Sequence, residues 1–229
     1  MSSYRNFSSY MKKQNNYPPE IVHALELLDI HYSSFYRVTH IAKETGHPVP
    51  VDTRAWSQIL ASVLSGIKGI ERQKGADLGD GSDVKGAITW EAIDTPRFNG
   101  VIKAGTKSAT SDRIESLDNI PFLFLVLWDH NELNKKPRCR VWCVRPQHDT
   151  LFRKMCATWY EARAKGKIVS SNFQLHPPRN LNSNIIRNTL GIFEYPLLFC
   201  AEHDKDGFDL VEYNPNVLKN GLCHKTKDQ

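Results

Sequence analysis

The 229-residue chain has no apolar run long enough to cross a bilayer. Its longest, Ile120 to Trp128, falls far short of the ~20 residues that a spanning helix requires. The opening, Met1 to Asn16, is polar and holds no apolar segment of the kind that directs export, so the cytoplasm is the expected location. Cysteine is scarce and odd in number, at five, which argues against a disulfide framework and for reduced thiols. Glycine and proline, 13 and 12 residues, are ordinary, and there is no repeat or low-complexity segment, which excludes collagen-like and disordered classes. A Gly-X-Ser-X-Gly nucleophile motif is also missing, which argues against a covalent serine hydrolase. What remains, 40% hydrophobic and 24% charged residues with a mean hydropathy of -0.47, describes a globular chain. At this length folding buries roughly 70% of the extended surface, so packing alone can supply stability.

Acidic residues are nearly missing from one stretch. Between Lys135 and Asn188 twelve basic residues stand against only Asp149 and Glu161, while the whole chain is net +5, so the remainder is net acidic. Trp142, Trp159, Tyr160 and Phe173 interleave the basic stretch. Basic charge mixed with aromatics suits a polyanion, although a solvated basic face would read the same way on charge alone.

Local patterns place the elements. Ile21, Val22, Leu25, Leu28 and Ile30 follow a proline pair at helical spacing and predict a helix over 19–44. A second helix is expected from Thr53 to Ser65, capped by Asp52 or Thr53, with Trp56, Ile59, Leu60, Val63, Leu64 and Ile67 on one face. Residues 76–78 and 82–90, around Gly79-Asp80-Gly81, read as a hairpin. Phe98 to Ala104 reads as a further strand, Pro121 to Trp128 as a fully buried one, and the alternation from Arg138 to Val144 as an outer partner. A helix over Leu151 to Lys165, a polar stretch from His176 to Asn188 and a late hairpin, 195–202 with 208–213, complete a chain of α/β class with a central mixed β-sheet of about five strands, flanked by helices. The expectation is one domain over 1–229, with a helical part (1–50), a core (51–146) and a basic part (147–229).

Chemistry concentrates at the glycine-rich turn. Asp83 and Lys85 are two apart on a strand and so project from one face, about 6–7 Å apart. A three-residue loop would set Asp77 directly across from Asp83, β-carbons about 5 Å apart, whereas a two-residue loop would put them on opposite faces. Facing carboxylates repel unless a cation lies between them, and a hard ion such as Mg²⁺ takes such oxygens together with a backbone carbonyl, for which Val84 is placed, and waters. Metal-lowered water pKa and an adjacent ammonium are the ingredients of phosphodiester hydrolysis. Asp80, at the apex, reads as a turn former. Cys139, Cys143, His148 and Cys156 hint at zinc, but strand packing explains the first two and no second paired motif accompanies them.

Asp77 followed by Asp83-Val84-Lys85 resembles the Asp…(Asp/Glu)-X-Lys active site of the PD-(D/E)XK nuclease superfamily. The surrounding runs, Ser65 to Asp77 and Ile93 to Thr106, resemble small bacterial type II restriction endonucleases of the MamI type. The resemblance implies a restriction-endonuclease-like αβββαβ core and a Mg²⁺-dependent endonuclease cutting double-stranded DNA at a specific, palindromic site. It also implies a homodimer reading the two half-sites and a cognate DNA methyltransferase as companion. Asp77 and Asp83 would hold the metal with Val84, and Lys85 would assist the attacking water. Some members add an acidic or amide residue from the preceding helix, for which Gln58 and Glu71 are the candidates. Asp77 follows no proline and its gap to Asp83 is short, which is closer to strand-nicking repair enzymes. A nicking repair nuclease and a non-catalytic DNA-binding protein are therefore the alternatives. For base or phosphate contact the expected residues are His176, Arg179, Asn180, Asn182, Asn184 and Arg187, since arginine and asparagine make bidentate contacts with guanine and adenine. Lys135, Lys136, Lys165 and Lys167 would contribute phosphate contacts.

Overall fold

The computed structural model describes residues 16–71, 75–92, 94–103 and 114–224. It begins with helix α1 (Pro19–Thr45), whose buried stripe runs through Ile21, Leu25, Leu28, His31 and Phe35. Proline at the first position costs no hydrogen bond there, and Gly46 ends the helix at φ 72°, a conformation that favours glycine. In α2 (Arg54–Ser65) Thr53 stands at the cap position, while Asp52 Oδ1 accepts the Arg54 amide at 2.9 Å. The expected apolar face of this helix holds in large part: Leu60 and Leu64 are buried and Trp56, Val63 and Ile67 pack against the same core, but Ser57 and Ala61 are buried with them and Ile59 is 49% exposed. The cause is a close approach of α2 to strand β1 (Asp83–Ile88). A β-carbon on Gly86 would lie 2.6 Å from Ser57 Oγ and 2.8 Å from Thr53 Oγ1, so only small side chains fit between helix and strand.

The main sheet has five strands in the order β1, β3 (Leu123–His130), β4 (Pro137–Val144), β8 (Leu197–Asp204), β9 (Gly207–Tyr213). β1 and β3 are parallel, with Asp83 opposite Leu123, and the other neighbours are antiparallel. Three expectations are corrected. The early hairpin does not form: Leu78 bridges to Gly69, and β1 pairs with β3 instead. Residues 123–129 are buried on both faces, so β1 gains more apolar contact beside them than beside the short 76–78 segment. β4 is the middle strand rather than an outer one, buried from Arg138 to Val144. Its alternating arginines, which read as solvent-facing, are internal. Arg138 and Arg140 both bind Asp129, itself fully buried, at 3.0 and 2.8 Å. Finally, β2 (Phe98–Lys103) leaves the main sheet and pairs antiparallel with β5 (Asn172–Leu175), and Ala104 lies outside the described residues.

A short 3-10 turn (Ile114–Asn119) leads into β3, α3 (Thr150–Ala164) follows β4, β6 (Ile185–Asn188) and β7 (Gly191–Glu194) form a small hairpin, and α4 (Val217–Asn220) is a single turn. The sheet separates two cores. On one face Val84, Ile88, Phe124, Val126 and Trp128 meet α1 and α2. On the other, Ala87, Leu125, Leu127 and Trp142 meet α3, β2 and β5. Among the described residues no helix is long and apolar enough to cross a membrane.

Candidate active site

The loop before β1 closes on itself through backbone bonds. The amides of Asp77 and Leu78 both donate to the Ser82 carbonyl at 3.0 Å, and Gly81 donates to Leu78. Asp80 accepts the Ser82 amide and hydroxyl, each at 2.9 Å, so it is the turn former the sequence suggests. Gly81 is required here, because a β-carbon at its φ of 96° would meet the Asn119 carbonyl at 2.7 Å.

This curl, rather than a hairpin, brings the two carboxylates together. The Val84 amide donates to Asp77 Oδ2 at 2.9 Å and to Asp83 Oδ1 at 3.0 Å. Lys85 Nζ lies 2.6 Å from both Asp83 oxygens. Burial, then the neighbouring Asp77, pushes the Asp83 carboxyl up to about 6 against the opposing pull of Lys85. From α2, Gln58 Nε2 donates to Asp77 Oδ1 at 2.6 Å, whereas Glu71 is exposed and Arg72 and Lys74 lie outside the described residues. Of the two helix-borne candidates, Gln58 is therefore the one brought to Asp77. Along a strand a residue's N–H and C=O point to the same edge, so the Val84 carbonyl shares the edge occupied by the carboxylates.

The oxygens gathered here are two carboxylates and, on the same strand edge, a backbone carbonyl, hard donors of the kind that suit a divalent ion such as Mg²⁺. Among the described residues no three His, Cys, Asp or Glu side chains group to hold a metal by themselves, so waters would complete the coordination. The four residues that hint at zinc are divided by the sheet. Cys139 and Cys143 lie in the α1/α2 core, Cys156 lies in the opposite core, and His148 is exposed. Burial pushes all three thiols up, which keeps them protonated.

The nucleic-acid candidates divide into exposed and internal groups. Lys135 is exposed in the β3–β4 turn with Lys136 beside it, and Lys165 and Lys167 are exposed just beyond α3, the former 3.7 Å from Glu161. Arg179 is exposed, and His176 and Arg187 are paired through their backbones, bridging β5 to β6. The three asparagines serve the fold. Asn180 Oδ1 accepts the Asn182 amide, Asn182 Oδ1 accepts Arg138 Nη1 at 3.4 Å, and Asn184 Oδ1 accepts the Trp142 indole N–H at 3.2 Å. Arg138 also donates to the Leu181 carbonyl and Arg140 to the Ser183 carbonyl, so the buried arginines clamp this segment to the sheet. Composition hides the network, because Arg138 and Arg140 count with the basic stretch and Asp129 lies just past the expected strand 121–128. The available signal is two arginines inside an otherwise apolar strand.

No solved structure matches the chain. The type II restriction enzyme MamI of Microbacterium ammoniaphilum is 33% identical over 165 residues, 66% of this chain and 51% of that protein, so the chain spans about half the length of this relative. The family model for the MamI restriction endonuclease matches residues 40–211, taking in α2, the closed loop, the paired carboxylates and the sheet up to β9. With three quarters of its length inside that match, the chain belongs to the MamI restriction endonuclease family.

Proposed function

We propose that the protein is a Mg²⁺-dependent type II restriction endonuclease that hydrolyses double-stranded DNA at a specific palindromic site, with Asp77, Asp83 and Lys85 as its catalytic residues. The observation that carries this reading is the pair of carboxylates sharing the Val84 amide, with an ammonium 2.6 Å from one of them. Two partly buried acids in contact destabilise each other's ionised forms, and a cation between them relieves that repulsion. Asp77 and Asp83 would hold the ion with the Val84 carbonyl. Bound there, Mg²⁺ supplies a water of lowered pKa and stabilisation of charge on the phosphoryl oxygens. Lys85 orients the water and balances the charge that develops in the transition state. Gln58 fixes the rotamer of Asp77 through one amide hydrogen. The proposal includes one nuclease domain over 1–229, a homodimer whose two-fold axis matches the palindrome, and a companion methyltransferase protecting the same site.

Plasmid DNA incubated with and without Mg²⁺ tests the reading. Discrete double-strand fragments that require the ion are expected. Nicked circles would turn the assignment to a strand-nicking enzyme, and intact plasmid to a non-catalytic binder. Asp83→Ala and Lys85→Ala are each expected to lower cleavage by about a hundred- to thousand-fold, the usual cost of one electrostatic contributor. Retention of cognate duplex in a gel shift checks that binding survives. Near wild-type cleavage by either variant would overturn the assignment of these residues.

A further inference from the structure

The ribbon formed by β2 and β5, continued into β6 through the bridge between His176 and Arg187, is strongly two-sided. Phe98, Ile102, Phe173, Leu175 and Ile186 point inward and are buried. Between them the chain places Arg97, Asn99, Gln174, His176 and Arg187, of which Arg97 and Asn99 are exposed and the others half-buried. Residues 97–103, 172–176 and 185–188 contain no aspartate or glutamate at all. In a protein with 25 acidic residues, an outward face of arginine, histidine and amides without a carboxylate suits a polyanion.

Two of these side chains are tied together. Gln174 Nε2 donates to Asn99 Oδ1 at 2.9 Å across the ribbon. At an exposed position such a bond replaces bonds to water and adds little stability, while it orders two flexible side chains. Gln174 keeps its second Nε2 hydrogen and its Oε1 acceptor side by side on one amide, while Asn99 Nδ2 remains a donor at the far end of the pair. A donor beside an acceptor is the complement of adenine in the major groove, which offers N7 as acceptor and N6 as donor. The major groove, about 12 Å wide, admits a two-stranded ribbon. β2 also lies against β1. Val84 and Ile88 belong to the α1/α2 core and Ala87 to the core beneath the ribbon, so Asp83 and Lys85 project to the ribbon's side of the sheet.

We propose that the β2–β5 ribbon is the base-reading element of this protein, with the Asn99–Gln174 amide pair selecting an adenine and Arg97 and Arg187 holding the flanking phosphates. The proposal rests on the nuclease reading above for its substrate, and it moves base selection away from Asn180, Asn182 and Asn184, which the fold already uses.

The test selects duplexes from a random-sequence pool with the full chain in Ca²⁺ buffer and sequences those bound, alongside plasmid cleavage in Mg²⁺. The wild type is expected to enrich a defined site containing an A·T pair in each half. Asn99→Ala and Gln174→Ala should each lose roughly 10- to 100-fold of the preference at that one pair, leaving other positions unchanged. Gln174→Glu, which can only accept, should move the preference there toward cytosine. An unaltered preference in both alanine variants overturns the proposal. So does an equal loss for every sequence, which would make the ribbon a phosphate contact. If the wild type enriches a site but never cuts plasmid, the nuclease reading fails while the variants still decide the ribbon. If it enriches nothing, both fail.

Discussion

His31 is a residue whose chemistry is set entirely by its surroundings. On α1 it is 4% exposed, with ring centroids of Trp128, Trp56 and Trp90 at 4.3, 4.8 and 5.8 Å, and among the described residues its Nε2 has no hydrogen-bond partner. Burial among these rings lowers its pKa to about 4. The unfolded chain, with an ordinary value near 6.5, therefore binds the proton more readily than the folded protein throughout that window. The stability this neutral histidine contributes is complete above pH 6.5 and is lost as pH falls toward 4, by up to about 3 kcal/mol. Replacing it with phenylalanine should flatten the pH dependence of urea unfolding between pH 6.5 and 4. If wild type and His31→Phe lose stability in parallel over that range, the histidine is not the group responsible. Asp129 illustrates the opposite case, since its buried carboxylate gives two internal arginines the charge partner that burial requires.

Elements follow from sequence where one period dominates and nothing nearby competes. α1, expected over 19–44, is found at 19–45, and α3 and the late hairpin also fall close to their expected places. On α2 only Ile59 leaves the expected apolar face, because amphipathic periodicity assumes that large side chains face the core. Here Gly86 lets Ser57 and Thr53 touch the strand, and Ile59 is left outside. That contact also sets the height of Gln58, one residue along, above Asp77. Gly86→Ala should therefore cost about 1–3 kcal/mol through overpacking. It should also lower plasmid cleavage more than the loss of folded protein accounts for, as Gln58 is displaced. Thermal melts and initial cleavage rates of the soluble variant check both parts. A wild-type melting temperature would show that helix and strand separate freely at this point.

For the whole molecule, charge has to be sorted by location before it predicts affinity. Of the twelve basic residues between Lys135 and Asn188, Arg138 and Arg140 are consumed by Asp129, and Arg163 donates to the carbonyls of Ile168 and Val169 just past α3. Lys135 in the β3–β4 turn, with Lys136 beside it, is different. Replacing both by alanine should weaken binding to cognate and scrambled duplexes by one common factor. It should also reduce the slope of log affinity against log salt by up to about 2, one released counterion per lost phosphate contact. A titration series at several salt concentrations measures it, and an unchanged slope would exclude contact at this turn. The sequence by itself determined helices α1, α2 and α3, the buried strand at 121–128 and the closeness of Asp77, Asp83 and Lys85, because those depend on short-range spacing and on residue chemistry. Only the tertiary structure decided that β1 lies parallel to β3, that β4 is the centre of the sheet and that β2 leaves it, because strand partners are chosen by competition for buried area across distant segments. The same holds within the site. The carboxylates meet by sharing the Val84 amide in a closed loop, and Gln58 rather than Glu71 joins them, because helix α2 settles where Gly86 leaves room for it.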